Sequence, residues 1–218
     1  MQSSPAANGP ITTVVFDLGR VLVEWDPYDA FADRWTREEW EAFSAEIDFP
    51  AFNHEQDAGR TIADATAALA ATHPHRVADF EHYIRNFARS LGGPVPGTTE
   101  IVDELRAAGV RVLGLTNWSA ETFHEAARSA PVIDRLEAVL VSGEVGLAKP
   151  DPAIYELLVD RFALDPARTV FTDDSPPNVA SAAALGLLAL HFTDADRLRS
   201  DLAGLGLPVR PLAPSDET

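Results

Sequence analysis

Residues 11–22 read Ile11-Thr12-Thr13-Val14-Val15-Phe16-Asp17-Leu18-Gly19-Arg20-Val21-Leu22. The first six are β-branched or aromatic and show no strict polar alternation, the pattern of a parallel strand covered on both faces. The run ends on one carboxylate, Asp17, at the start of a glycine-containing turn. In an open α/β sheet the carboxyl ends of the strands surround the ligand crevice, which places Asp17 for chemistry and makes it the candidate nucleophile.

Past this strand, Val21 to Trp25 reads as a short extended flap, and Asp26-Pro27 reads as a helix start with Asp as N-cap and Pro at the first helical position. From Pro27 to Leu91 there is no convincing strand run. Thr36-Arg37-Glu38-Glu39 fits a capping box, and Trp35, Phe43 and Ile47, then Ile62, Ala65 and Leu69, then Phe80, Tyr83, Ile84 and Phe87 recur at helical spacings. Gly92-Gly93-Pro94-Val95-Pro96-Gly97 has turn and linker composition and marks a return to the sheet. Helices at about 98–108, 120–129, 152–162 and ending before Gly186 then alternate with strands at about 110–115, 138–141, 169–171 and 188–192. Such alternation implies a parallel sheet with right-handed crossovers. The expected organisation is an α/β core from 11–23 and 92–206, an all-helical insert over 24–91, and flexible tails at 1–10 and 207–218.

With 218 residues, 46% of them hydrophobic and 23% charged, the chain can bury a sizeable core. No apolar run approaches the ~20 residues of a membrane-spanning helix, so no membrane partner is expected. The first ten residues lack the basic start and apolar centre of a secretory signal, and a cytoplasmic protein is expected. The formal charge of −17 argues against a nucleic-acid surface, which needs clustered Lys and Arg. With no Cys, thiolate chemistry is excluded and any metal must take oxygen or nitrogen ligands. The oligomeric state is left open.

Four polar pieces fall at strand ends or in the loops beside them: Asp17-Leu18-Gly19, Thr116-Asn117, Lys149-Pro150 and Asp173-Asp174. In this order, with Lys149 inside Gly146-Leu147-Ala148-Lys149-Pro150-Asp151-Pro152 and the acidic pair inside Phe171-Thr172-Asp173-Asp174-Ser175, they resemble the four motifs of the haloacid dehalogenase-like (HAD) hydrolase superfamily. The resemblance runs from about Ile11 to Phe192. It implies a Rossmann-like parallel sheet with helices on both faces, and a small helical cap inserted between the first and second motifs. It also implies that Asp17 is the nucleophile and that Lys149 is the fixed cation on nucleophile and phosphate. The chemistry fits phosphoryl transfer: a carboxylate attacks phosphorus and divides hydrolysis into two steps through an aspartyl-phosphate. Mg²⁺ held by Asp17, the Gly19 carbonyl, Asp173 and Asp174 would offset the repulsion between anions. Thr116 and Asn117 offer a hydroxyl, an amide and helix-terminal N–H groups to phosphate oxygens, and Trp118 is a candidate pocket residue. The expected substrate is a small phosphorylated metabolite, a sugar phosphate among the choices.

Gly19 departs from the pattern, because most phosphatases of the superfamily carry a second Asp two residues after the nucleophile as general acid and base. Glu24, Asp26, His54 or Glu55 are candidate replacements, and Arg20 could stabilise charge on the leaving oxygen. Asn53, His54, Glu55, Asp57 and Arg60 of the insert are polar enough to contact a substrate's leaving group, although a charge run of this kind also fits a solvated helix face. Two other readings use the same residues. One is a 2-haloacid dehalogenase, against which the acidic pair argues; the other is a phosphate- or partner-binding domain without turnover.

Overall fold

The computed structural model describes residues 9–210. The chain opens with β1 (Thr13–Phe16), then β2 (Val23–Trp25), α1 (Arg37–Ile47), α2 (Phe49–Asp57), α3 (Ile62–Thr72), α4 (Val77–Arg85) and β3 (Leu91–Pro94). It continues with α5 (Thr98–Ala107), β4 (Arg111–Thr116), α6 (Ala126–Ser129), β5 (Val139–Val141), α7 (Ser142–Val145) and α8 (Pro152–Phe162). The last elements are β6 (Thr169–Asp173), α9 (Pro176–Ala184), β7 (Leu188–His191) and α10 (Ala195–Gly204). Five strands form a parallel sheet in the order β5-β4-β1-β6-β7, with β1 at its centre between β4 and β6.

All four residues of β1 are buried, and alternation along the strand sends them to opposite faces. Val14 and Phe16 join one apolar cluster with Ile101, Val102 and Leu105 of α5 and Leu198 and Leu202 of α10. Val15 joins the other, with Leu113, Leu115 and Phe171 of the sheet and Ile154, Tyr155 and Leu158 of α8. The sheet is therefore covered on both faces, as the unalternating strand pattern requires. It is an α/β, Rossmann-like arrangement.

Local signals act where they were expected. The Thr36 hydroxyl accepts from the Glu39 N–H (3.3 Å) while the Glu39 carboxylate accepts from the Thr36 N–H (2.7 Å), completing the capping box of α1. Asp151 caps α8 by accepting from the Ala153 N–H at 2.9 Å, with Pro152 at the first helical position. Four further results differ from the sequence expectation. Asp26 caps Tyr28 as foreseen, but the helix it starts is one 3₁₀ turn, Pro27–Ala30, because Phe31 turns inward to stack on Trp35. The helix expected at 120–129 is a 3₁₀ turn, Phe123–Glu125, followed by the short α6. The Gly-rich link is a strand: β3 pairs antiparallel with β2, Val23 opposite Pro94 and Glu24 opposite Gly93, so the chain's exit from the sheet and its return run side by side. Finally, the expected tail is ordered as far as 210. Leu207 and Val209 are buried, and the Arg210 N–H donates to Glu104 at 2.7 Å, because α10 needs its apolar end covered. The rest of the expected tails, 1–8 and 211–218, lies outside the described residues; Pro10 is tied to Arg168.

Candidate active site

Three parallel strands end at one edge and bring their last residues together: Asp17 just after β1, Thr116 of β4 and Asp173 of β6. The loop between α7 and α8 adds Lys149. Its side chain is 1% exposed, and its ammonium lies 2.8 Å from Asp17 Oδ1 and 2.6 Å from Asp173 Oδ2, donating also to the Leu115 carbonyl at 3.1 Å. Burial works to strip the charge from Lys149, but the two carboxylates outweigh it and hold its pKa above the ordinary lysine value. Burial pushes Asp17 up to about 7 despite Lys149, with Asp173 and Asp174 adding repulsion. One lysine does not balance three carboxylates.

That imbalance is what a cation would correct. One carboxylate oxygen each from Asp17, Asp173 and Asp174 lie within 4.8 Å of one another, a hard all-oxygen donor set that suits Mg²⁺. Asp173 is the more committed of the pair, since its oxygens accept from Lys149, from the Ser175 N–H at 2.8 Å and from the Asn178 amide at 2.9 and 3.1 Å. Asp174 is partly exposed, and burial and Asp173 together raise its pKa.

The other expected site residues divide into two groups. Thr116 is buried in this crevice with its hydroxyl unpartnered, a polar atom that an anionic oxygen would satisfy. Asn117 is instead turned on the protein: its amide donates to the Lys149 carbonyl and accepts from the Lys149 N–H, both at 2.8 Å, which fixes the backbone that carries the ammonium. Arg20, at φ 60°, lies outside with its guanidinium 5.1 Å from the Trp25 ring centre. Gly19 opens onto free space, with no atom within 4 Å of where a Cβ would stand.

A cavity joins this edge to the helical insert. Gly19, Asn117 and Trp118 form its floor, and Asp57, Tyr83 and Ile84 are among the insert residues that wall it, enclosing about 560 Å³ including the mouth. Trp118 is fixed by its indole N–H donating to Thr122 (3.2 Å) and by edge contacts with Phe87 and Phe123. Gln56 and Tyr83 also line it, and both carry buried polar atoms without partners, Gln56 Nε2 and the Tyr83 hydroxyl. Sequence reasoning placed Tyr83 in a core pattern and passed over Gln56, because their helical spacing does not distinguish a core face from a cavity wall. Of the four expected proton donors, Glu24 packs against Gly92 in the β2–β3 ribbon. Asp26 is held by the Tyr28 N–H and Arg37, and although burial opposes them its pKa falls. His54 and Glu55 are exposed.

The model of the haloacid dehalogenase-like hydrolases matches residues 11–186. The chain belongs to that family. It is 30% identical over 189 residues to a sesquiterpene phosphatase, astK, of Aspergillus oryzae, covering 83% of this chain and 89% of that protein. It is 28% identical to the protein CbbY of Rhodobacter capsulatus, over 68% of this chain and 64% of that one. Among solved structures, the HAD family enzyme BT-2542 of Bacteroides thetaiotaomicron superposes with a TM-score of 0.68 at 21% identity, over 85% of this chain and 95% of that one. This HAD-like chain is therefore a hydrolase, and its fold is the family's.

Proposed function

We propose that this hydrolase is a Mg²⁺-dependent phosphatase of a small phosphorylated metabolite, working through an aspartyl-phosphate on Asp17. The observation that carries the reading is the Lys149 ammonium buried between Asp17 and Asp173, with Asp174 in reach. An acidic triad around one lysine is a poor arrangement for displacing halide from carbon and a suitable one for a dianionic phosphate and a divalent cation. Bound Mg²⁺ would supply positive charge to the phosphate oxygens and to Asp17, Asp173 and Asp174.

The chain's own residues supply the rest. Lys149 holds Asp17 in place and draws the phosphate towards it, and Asn117 fixes the backbone of Lys149. Thr116 offers its free hydroxyl to a phosphate oxygen. The Asp17 carboxylate attacks phosphorus as the bond to the leaving oxygen breaks; water then attacks phosphorus, phosphate departs and Asp17 is regenerated. The helical insert, residues 24–91, acts as a cap that closes the site from solvent, and the core is 11–23 with 92–206.

The cavity bears on the leaving group. Its walls are largely aromatic and aliphatic, with Trp25, Ile62, Tyr83, Ile84, Phe87 and Trp118, which favours an apolar alcohol over a sugar. The relative named as a sesquiterpene phosphatase supports the same choice. Purified protein would be assayed on prenyl and alkyl phosphates, sugar 1- and 6-phosphates and chloroacetate, with Mg²⁺ or EDTA and Asp17→Asn as control. Mg²⁺- and Asp17-dependent phosphate release, faster from prenyl than from sugar phosphates, is the expected result. Metal-independent halide release would replace the reading with a dehalogenase; neither product would leave a binding protein.

A further inference from the structure

Gly19 leaves the reaction without a proton donor on the core, and the structure offers one from the insert. Asp57 ends α2 and is the one carboxyl among the described residues that line the cavity over Gly19, Asn117 and Trp118. It also borders an outer opening lined in part by Arg20 of the first motif and by Ser175, which follows the acidic pair. Its orientation is fixed, since the Asn53 amide donates to Asp57 Oδ2 at 3.1 Å. We propose that Asp57 is the general acid and base of this hydrolase, reaching the leaving oxygen from the insert across the space that Gly19 leaves open. The proposal rests on the phosphatase reading and assigns its missing catalytic residue.

Two observations support it besides position. No side chain fills the space at Gly19, and Asp57 lines the same cavity as that space. The surroundings raise the carboxyl towards neutrality: burial pushes it up to about 7, against the Asn53 amide, the Lys149 charge and the Ser119 backbone. Lys149 is the charged group that bears on it from the core. Tyr83 faces it from α4, while Glu41 of α1, Asp64 of α3 and Glu144 of α7 are exposed. An acid with a pKa near the working pH is the most effective proton donor and the most effective acceptor in turn.

As Asp17 bonds to phosphorus and the ester oxygen leaves, the Asp57 carboxyl gives its proton to that oxygen, releasing a neutral alcohol and becoming a carboxylate. In the second step the Asp57 carboxylate takes a proton from the attacking water, whose oxygen bonds to phosphorus as the bond to Asp17 breaks. Phosphate is freed and Asp57 is again protonated. Placing the donor on the insert ties chemistry to closure, because the proton reaches the leaving oxygen only when α2 lies over Gly19.

The test compares Asp57→Asn with wild type on an alkyl phosphate, whose leaving oxygen needs a proton, and on p-nitrophenyl phosphate, whose leaving oxygen does not. Circular dichroism and the melting temperature report folding. The expected result is a loss of about 10²-fold or more in kcat/KM for the alkyl ester and less than about tenfold for the aryl ester. Equal losses on both esters, or none on either, would overturn the assignment. Should the variant not fold, the wild-type pH profile decides. A fall in kcat/KM above about pH 7 for the alkyl ester alone supports Asp57, and identical profiles for the two esters remove it. No phosphate release by wild type from either ester, with Asp17→Asn as the blank, would defeat the phosphatase reading itself and Asp57 with it.

Discussion

Lys149 is a single buried cation facing two carboxylates, and its removal is the most informative single change in the molecule. Lys149→Met keeps the length of the side chain but leaves Asp17 and Asp173 buried together without a counter-charge. Breaking a buried pair in this way costs about 3–5 kcal/mol. The expected outcome is a lower urea midpoint and loss of activity, with the midpoint partly restored by Mg²⁺; a midpoint unchanged in EDTA would count against the ion-pair geometry. Asp57 gives a second residue-scale prediction. Its folded pKa of about 7 stands above the ordinary 3.8, so between about pH 4 and pH 7 the folded state holds a proton that the unfolded state has released. The stability this contributes is present below about pH 4 and is lost as pH rises through 7. Asp57→Asn should flatten that part of the stability curve, measured by urea unfolding across the range. Asp57 stands among Asn53, His54, Glu55 and Arg60, a polar run that in sequence fits a solvated helix face as well as a contact with the leaving group. The partners that mark it, Gly19, Asn117 and Trp118, are far away in the chain.

At the scale of elements, two glycines near the site predict opposite outcomes. Gly143 is the second residue of α7, packed on the Trp118 loop, and a Cβ there would stand 2.5 Å from the Ala120 nitrogen and 2.7 Å from the Trp118 carbonyl, both backbone atoms that cannot swing aside. Gly143→Ala should cost about 1–3 kcal/mol and shift the cavity floor, seen as a lower melting temperature together with weakened turnover. Gly19→Ala meets nothing and should change stability by no more than about 0.5 kcal/mol. Thermal unfolding of the two variants side by side checks both. Most elements of the core were readable before the fold was known, because β-branched runs ending in turn residues and Asp-Pro caps act locally: β1 and α8 fall at the expected places. The β2–β3 ribbon was not readable. Leu91-Gly92-Gly93-Pro94 has no strand propensity of its own and becomes a strand because Val23–Trp25 lies beside it. The end of the chain was misread for a related reason: Leu207 and Val209 follow Gly206 in a polar, Pro-containing stretch, and only packing on α5 and α10 makes them core.

For the molecule as a whole, the formal charge of −17 is the dominant long-range fact. Like charges on a compact body repel, and under the proposed function a phosphate ester would have to approach that field to reach Lys149. Salt screens both effects, with a Debye length of about 10 Å at 0.1 M. Raising NaCl from low to physiological levels at fixed Mg²⁺ should therefore raise the melting temperature and lower KM for a phosphate ester; a KM that rises with salt would mean that local positive charge at the mouth outweighs the global sign. The ribbon of β2 and β3 has a further consequence. Where the chain leaves the sheet and where it comes back are neighbours, so everything between them hangs from the hydrolytic scaffold as one oversized hairpin loop. Such a loop can be lengthened, rewritten or exchanged over generations without breaking a single rung of the five-stranded ladder. A lineage built this way can reshape the walls of the cavity in one module while the carboxylates and the lysine at the sheet edge stay undisturbed in the other.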